Sequence, residues 1–228
     1  MIVADSKPLM EIAPLLTGSR RVLVLGCGGC VTVCRSGGLA EARELARRLA
    51  HPEFFPDGVP EFRVDAIERQ CERDMLEAYL ETPPDTDAVL SLACGVGVQM
   101  VSDALEPMPV FPALNTTFMG GADEAGLWRE KCRGCGDCVL AYTGGICPIA
   151  RCAKKLLNGP CGGTSNGSCE VDSTQPCAWA LIFYRLKKQD KLHLLEEIFP
   201  TRDWRPGGGS GPRMRRRAGV AGGPGDFR

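Results

Sequence analysis

The sequence contains few of the residues that usually mark catalysis or nucleic-acid binding. Only two histidines are present, His51 and His193, and neither lies in a recognisable acid–base or nucleophilic motif. Aromatic residues make up 6% of the chain and the formal net charge is −1, whereas proteins that bind nucleic acids usually carry a strong basic excess. We therefore expect no catalytic residue in this chain and no nucleic-acid partner.

Long apolar segments are also missing. Residues 1–16, where a signal peptide or membrane helix would begin, are interrupted by Asp5, Lys7 and Glu11. We expect a cytoplasmic protein with no membrane partner. Because the cytosol keeps thiols reduced, cysteines in such a protein are expected to bind metal rather than to form disulfides.

Cysteine, in contrast, is abundant: thirteen are present, and eight of them lie between residues 132 and 177. The run Cys132-x2-Cys135-x2-Cys138 has the spacing of the first three ligands of a bacterial ferredoxin cluster. Cys147 precedes a proline as in ferredoxins, but eight residues separate it from Cys138, so its assignment stays open. The other cysteines of this region are Cys152, Cys161, Cys169 and Cys177. Eight thiolates are enough for two four-thiolate sites, and structural zinc is the alternative to iron–sulfur at the downstream four.

Residues 21–114 alternate between strand and helix patterns. Strands are predicted at 22–25, 62–67, 88–93 and 108–111, and helices at 39–49, 72–80 and 98–105. This order predicts an α/β domain with a small, mainly parallel sheet over residues 1–120. A cysteine-rich, loop-rich, ferredoxin-like module with C-terminal helices is expected at 121–205, and a disordered Gly/Arg-rich tail at 206–228.

The remaining five cysteines follow the predicted strands. Cys27, Cys30 and Cys34 come after the first strand, Cys71 after the second and Cys94 after the third. Because the carboxyl ends of parallel strands share one edge of a sheet, we expect these cysteines to converge there on a metal site.

Three glycines, Gly26, Gly28 and Gly29, accompany the first group of cysteines. They permit a tight turn and let backbone amides approach an anionic ligand, so we predict that they line the cofactor site. The same segment invites a nucleotide-binding interpretation, but Val31 occupies the place of the third glycine in the dinucleotide fingerprint.

Thirteen thiols supply three four-thiolate sites with one thiol left over. The cysteine pattern therefore predicts two or three metal centres. Several redox centres in one small chain favour electron transfer, whereas a single reactive thiol would favour a nucleophilic enzyme.

Several motifs fix residues other than cysteine. They are Gly-Cys-Gly-Gly-Cys at 26–30, Leu-Ala-Cys-Gly-Val-Gly-Val-Gln at 92–99, Asn-Gly-Pro-Cys-Gly-Gly at 158–163, Cys-Glu-Val at 169–171 and Pro-Cys-Ala-Trp at 176–179. In these motifs the chain resembles the cysteine-rich small subunit of acetogen-type methylenetetrahydrofolate reductase, also known as a methylenetetrahydrofolate reductase C-terminal domain. The resemblance covers about residues 5–205.

The resemblance implies a redox subunit that holds [4Fe-4S] clusters and binds a flavin-containing TIM-barrel reductase subunit. Folate and FMN would belong to that partner, where methylenetetrahydrofolate becomes methyltetrahydrofolate. Electrons would come from an external donor such as reduced ferredoxin or an electron-bifurcating complex. The alternative is a zinc-stapled interaction module of a folate or methyl-transfer complex.

Overall fold

The computed structural model describes residues 1–82, 85–124 and 126–205. The chain forms two compact units, the first spanning residues 1–131 and the second beginning at residue 132. The first unit extends past residue 120 because two further strands complete a second sheet. The tail expected at 206–228 lies outside the described residues.

A four-stranded parallel sheet forms the centre of the first unit, which confirms the predicted α/β class. Its strands are β2 (Arg21–Cys27), β3 (Glu61–Ile67), β4 (Ala88–Leu92) and β5 (Val110–Pro112). They lie in the order β3-β2-β4-β5. The connecting helices are α2 (Cys30–Val33), α3 (Leu39–Leu49), α4 (Arg73–Leu80) and α5 (Gly95–Leu105).

Strand β2 divides the core of the first unit between its two faces. Val22 and Val24 pack with α3 residues such as Ala42 on one face, whereas Leu23 and Leu25 pack on the other with residues of α4 and α5. Successive strand residues point to opposite faces, so a strand that is covered on both sides reads as a continuous apolar run. That run is why β2 is recognisable in the sequence.

A second sheet was not predicted. It consists of β1 (Ile2–Ser6), β6 (Leu114–Glu124) and β7 (Leu127–Cys132), with β6 in the middle and β1 antiparallel to it. A short helix, α1 (Leu9–Ile12), follows β1. The strand and helix patterns of the sequence end at residue 114, but β6 continues beyond it with mostly exposed, polar residues that lack a clear apolar pattern.

The second unit has little regular structure over its described part, 132–205. It contains a single-turn helix α6 (Pro148–Arg151), the helix α7 (Ala178–Lys188) and a 3₁₀ turn at Leu192–Glu196. Its small core is formed by Cys177, Trp179, Ile182 and Leu186. Helix α7 confirms the predicted C-terminal helical segment. Across the described residues of both units, no helix combines the length and apolarity needed to cross a bilayer.

Candidate metal centres

The carboxyl edge of the parallel sheet brings together cysteines that are far apart in the sequence. Cys27 ends β2 and pairs with Ile67 of β3, while its neighbour Gly26 pairs with Leu92 of β4. Cys94 follows shortly after β4 as the N-cap of α5. Adjacent strands are about 4.8 Å apart, so the loops that carry these cysteines start side by side.

The electrostatic environment of Cys71 shows that three of the thiols are neighbours. Burial raises the pKa of the Cys71 thiol, and its electrostatic interaction with the nearby Cys27 and Cys94 raises it further. Cys30 is exposed, begins α2 and lies three residues after Cys27. The loops after β2, β3 and β4 therefore present four cysteines at one edge of the sheet.

Cys34 is as buried as Cys27, but its thiol differs in that several protein oxygens contact it. The residue is buried, and its Sγ lies 3.1 Å from Ser36 Oγ, 3.5 Å from Val31 O and 3.9 Å from Ala4 O. Carbonyl and hydroxyl groups of the protein thus surround this sulfur, an environment typical of a structural cysteine. The sequence grouped Cys34 with Cys27 and Cys30 by proximity alone.

A buried polar network that the sequence analysis missed supports the loop before Cys71. Gln70 is fully buried, and its Nε2 donates to Leu25 O at 2.9 Å and to Gly26 O at 3.0 Å. Ser91 Oγ, also buried, lies 2.6 Å from Gln70 Oε1. The network ties the β3–α4 loop to the ends of β2 and β4, which fixes the position of Cys71.

Two of the three glycines near Cys27, Gly26 and Gly28, serve close packing. A Cβ on Gly26 would lie 3.0 Å from the carbonyl carbon and oxygen of Gly38, which is closer than nearly all real Cβ contacts. The Gly28 amide donates to Ile67 O at 2.9 Å, so it binds the neighbouring strand instead of facing a ligand. For these two glycines, the requirement is a close approach of backbones, whereas Gly29 leaves ordinary contact space for a Cβ.

The ferredoxin-like triplet of the second unit lies on a loop of left-handed glycines. Gly134 has φ +61° and Gly136 has φ +80°, values that other residues rarely adopt. The Gly134 amide donates to Cys132 Sγ at 3.3 Å. The loop therefore turns tightly and directs an N–H group at the Cys132 sulfur.

A cation that no sequence pattern indicated lies beside this triplet. Arg202 Nη1 lies 3.0 Å from Cys135 Sγ and 2.5 Å from Asp137 O. The Cys135 thiol also approaches Asp137 O at 3.5 Å. A guanidinium is thus in direct contact with the middle cysteine of the triplet.

The downstream cysteines are connected through a tight turn and the small core. The Cys169 amide donates to Gln175 O at 2.9 Å and the Cys177 amide to Gly167 O at 2.7 Å, so Cys169 and Cys177 lie on two paired segments. Cys152 packs against the core that contains Cys177.

Cys161 joins this group through the residue after Cys169. Its Sγ lies 3.8 Å from the carboxylate of Glu170, which also pairs with Lys154, and it accepts from the Gly163 amide at 3.5 Å. Cys147 is the N-cap of α6, one helical turn before Cys152. Helix α6 thus links Cys147 to Cys152.

All thirteen cysteines lie in the described part of the chain, and all are free thiols. Within residues 1–82, 85–124 and 126–205, however, no group of three or more His, Cys, Asp or Glu side chains is arranged tightly enough to hold a metal ion. The cysteine sulfurs nevertheless suit a metal site, because soft sulfur ligands select zinc or iron–sulfur clusters. Two of these sulfurs, those of Cys132 and Cys161, already accept amide hydrogen bonds. Metal binding stays a prediction.

The fold and these sites define a class: an α/β sheet unit followed by a disulfide-free, cysteine-rich module. Residues 111–205 match the model of a family described as the methylene-tetrahydrofolate reductase C terminal. The match confirms the resemblance over these residues, which include all eight cysteines of the second unit. The motifs at 26–30 and 92–99 lie outside it. Searches of curated proteins and of solved structures found no match.

The non-cysteine residues of the matched motifs have structural roles. Asn158 forms two hydrogen bonds with the backbone of Phe199, at 2.7 and 2.8 Å. A Cβ on Gly159 would lie 2.4 Å from the indole of Trp179, whose Nε1 donates to Leu156 O at 3.2 Å. These contacts hold the chain before Cys161 against α7 and the C-terminal segment.

Proposed function

We propose that this chain is an iron–sulfur electron-transfer subunit of a methylenetetrahydrofolate reductase-type complex. It would pass electrons between an external donor and the flavin of a partner reductase subunit. The family match supports the relation to the reductase. The observation that supports the redox role is the thirteen free thiols, eight of which lie in residues 132–177 and begin with the ferredoxin-like spacing of Cys132, Cys135 and Cys138.

The proposed partition assigns four thiolates to each of three [4Fe-4S] clusters. The sheet-edge site has Cys27, Cys30, Cys71 and Cys94; the triplet site has Cys132, Cys135, Cys138 and Cys147; the downstream site has Cys152, Cys161, Cys169 and Cys177. Cys147 is assigned to the triplet site by count, since the four later cysteines already supply a full four-thiolate set. Cys34 is the spare.

A bound [4Fe-4S] cluster supplies one-electron chemistry whose potential depends on hydrogen bonds to sulfur, burial and charge. The protein residues provide those conditions. The amides of Gly134 and Gly163 donate hydrogen bonds to the sulfurs of Cys132 and Cys161. Gln70 keeps the Cys71 loop against the sheet.

The partner in this proposal is a flavin-containing TIM-barrel reductase subunit, which holds both FMN and folate. The external donor is a low-potential carrier such as ferredoxin or an electron-bifurcating complex. Zinc at the downstream site would leave that site structural and redox-silent.

Anaerobic iron, sulfide and zinc analysis combined with EPR tests the proposal. Three clusters give about twelve iron and twelve sulfide per chain. We expect Cys94→Ala, Cys135→Ala and Cys161→Ala each to remove about one third of the iron, since each loses a ligand of a different cluster. Cys34→Ala is the matched control and should keep all of it. Stoichiometric zinc without iron would contradict the redox role.

A pull-down from an anaerobic extract tests the partner. We expect the tagged chain to retain a flavoprotein whose FMN is reduced by dithionite-reduced chain. Retention of the flavoprotein without flavin reduction would support the zinc-stapled interaction module instead.

A further inference from the structure

Arg202 contacts the triplet site from a position far away in the sequence. Its Nη1 donates to Cys135 Sγ at 3.0 Å and to Asp137 O at 2.5 Å, across 67 and 65 residues. Its guanidinium carbon also lies 5.7 Å from the centroid of the Trp204 ring, within cation–π range. All three contacts of the Arg202 guanidinium therefore lie within the second unit.

The other nitrogens of this guanidinium lack acceptors. Nε and Nη2 of Arg202 are shielded from solvent and have no hydrogen-bond partner within the described residues. Arginine carries five N–H donors in one rigid plane and accepts none, so Nε and Nη2 together present three unpaired N–H groups. Because buried donors are normally paired, these groups indicate an acceptor that the described residues do not provide.

The position of the unpaired donors identifies the chemistry of that acceptor. They share the guanidinium plane with Nη1, which already binds the sulfur of Cys135. Anionic sulfur, as thiolate or as cluster sulfide, suits a permanent cation in this place.

We propose that Arg202 is a tuning residue, which donates hydrogen bonds to the sulfurs of the centre held by the Cys132–Cys138 triplet and raises its reduction potential. This inference rests on the proposed function. On reduction the centre gains one electron from the external donor. The guanidinium stays protonated throughout, so no proton is transferred. A fixed cation with N–H donors stabilises the more negative, reduced state more than the oxidised state.

A nearby arginine offers a matched control. Arg205 is exposed, and its Nε and Nη2 donate to the carboxylate of Asp203 at 2.9 and 2.7 Å. Substitution of Arg205 removes the same formal charge from the same segment but no contact with a cysteine.

Potentiometric titration followed by EPR tests the inference on Arg202→Gln, Arg202→Lys and Arg205→Gln, prepared anaerobically beside the wild type. We expect one centre to shift to lower potential in Arg202→Gln, a smaller shift in Arg202→Lys, which keeps the charge, and none in Arg205→Gln. Iron and sulfide per chain should be unchanged in Arg202→Lys.

Other outcomes overturn it in distinguishable ways. Equal shifts of the reduction potential in the Arg202 and Arg205 variants would show that the effect comes from net charge alone. Loss of iron from both Arg202 variants would make the residue a structural anchor, and unchanged potentials would also refute tuning. A wild-type chain without iron would overturn the proposed function, and this inference with it.

Discussion

The buried Gln70 amide gives the sharpest test of how the sheet edge is held together. Substitution to alanine removes two bonds to the carbonyls of Leu25 and Gly26 and one with Ser91 Oγ. Each such bond contributes about 1 kcal/mol net, and the Ser91 hydroxyl would be left buried without its partner. We therefore expect Gln70→Ala to lower the unfolding free energy of the first unit by about 3 kcal/mol.

Hydrogen exchange of the full chain, read by mass spectrometry on β2 and β4 peptides, measures this change in the first unit alone. Ser91→Ala should cost about 1 kcal/mol, and a double-mutant cycle should show coupling of similar size between the two positions. Gln99→Ala is the control, because Gln99 is exposed and donates only to Gly95 O, and it should stay within about 0.5 kcal/mol. A loss below about 1 kcal/mol in Gln70→Ala would refute the reasoning.

Two further predictions concern single side chains. Cys34→Ala should destabilise the first unit by about 1 kcal/mol in the same exchange measurement, because a buried sulfur is lost. The metal content of this variant should stay the same as that of the wild type. A loss of metal equal to that of Cys94→Ala would instead show that Cys34 is a metal ligand. Backbone amides of Arg21 and Arg20 hold the pKa of the Asp87 carboxyl below its usual value. The Asp87 contribution is therefore present above the ordinary aspartate pKa and lost as pH falls through the lowered one. Asp87→Asn should thus unfold earlier in urea at neutral pH, and its difference from wild type should shrink in acid; a pH-independent difference would contradict this account.

The parallel sheet was predictable because its signal is local. The runs in β2 and β4 are apolar at nearly every position, as expected for strands covered on both faces. The helix at Leu39–Leu49 was predicted with its bounds, because its apolar residues recur at helical spacing. The position of Cys27, Cys71 and Cys94 at one edge followed from the parallel order of their strands.

The second sheet was not predictable in this way. Its pairing joins Ile2 to Met119, and β6 is mostly exposed and polar. Such a strand carries little apolar pattern, and its stability comes from a partner more than a hundred residues away. Only the folded chain shows that the two segments meet.

The sequence by itself determined the thiol content of this protein: thirteen cysteines, their placement after strands and in a ferredoxin-like run, and motifs that resemble a methylenetetrahydrofolate reductase C-terminal domain. Only the tertiary structure decided which groups surround each thiol. It buried Cys34 in the core, placed Gln70 under the Cys71 loop and brought Arg202 to Cys135. The physical reason is that thiol identity and local periodicity are properties of short segments, whereas burial and long-range hydrogen bonds exist only after distant segments have packed.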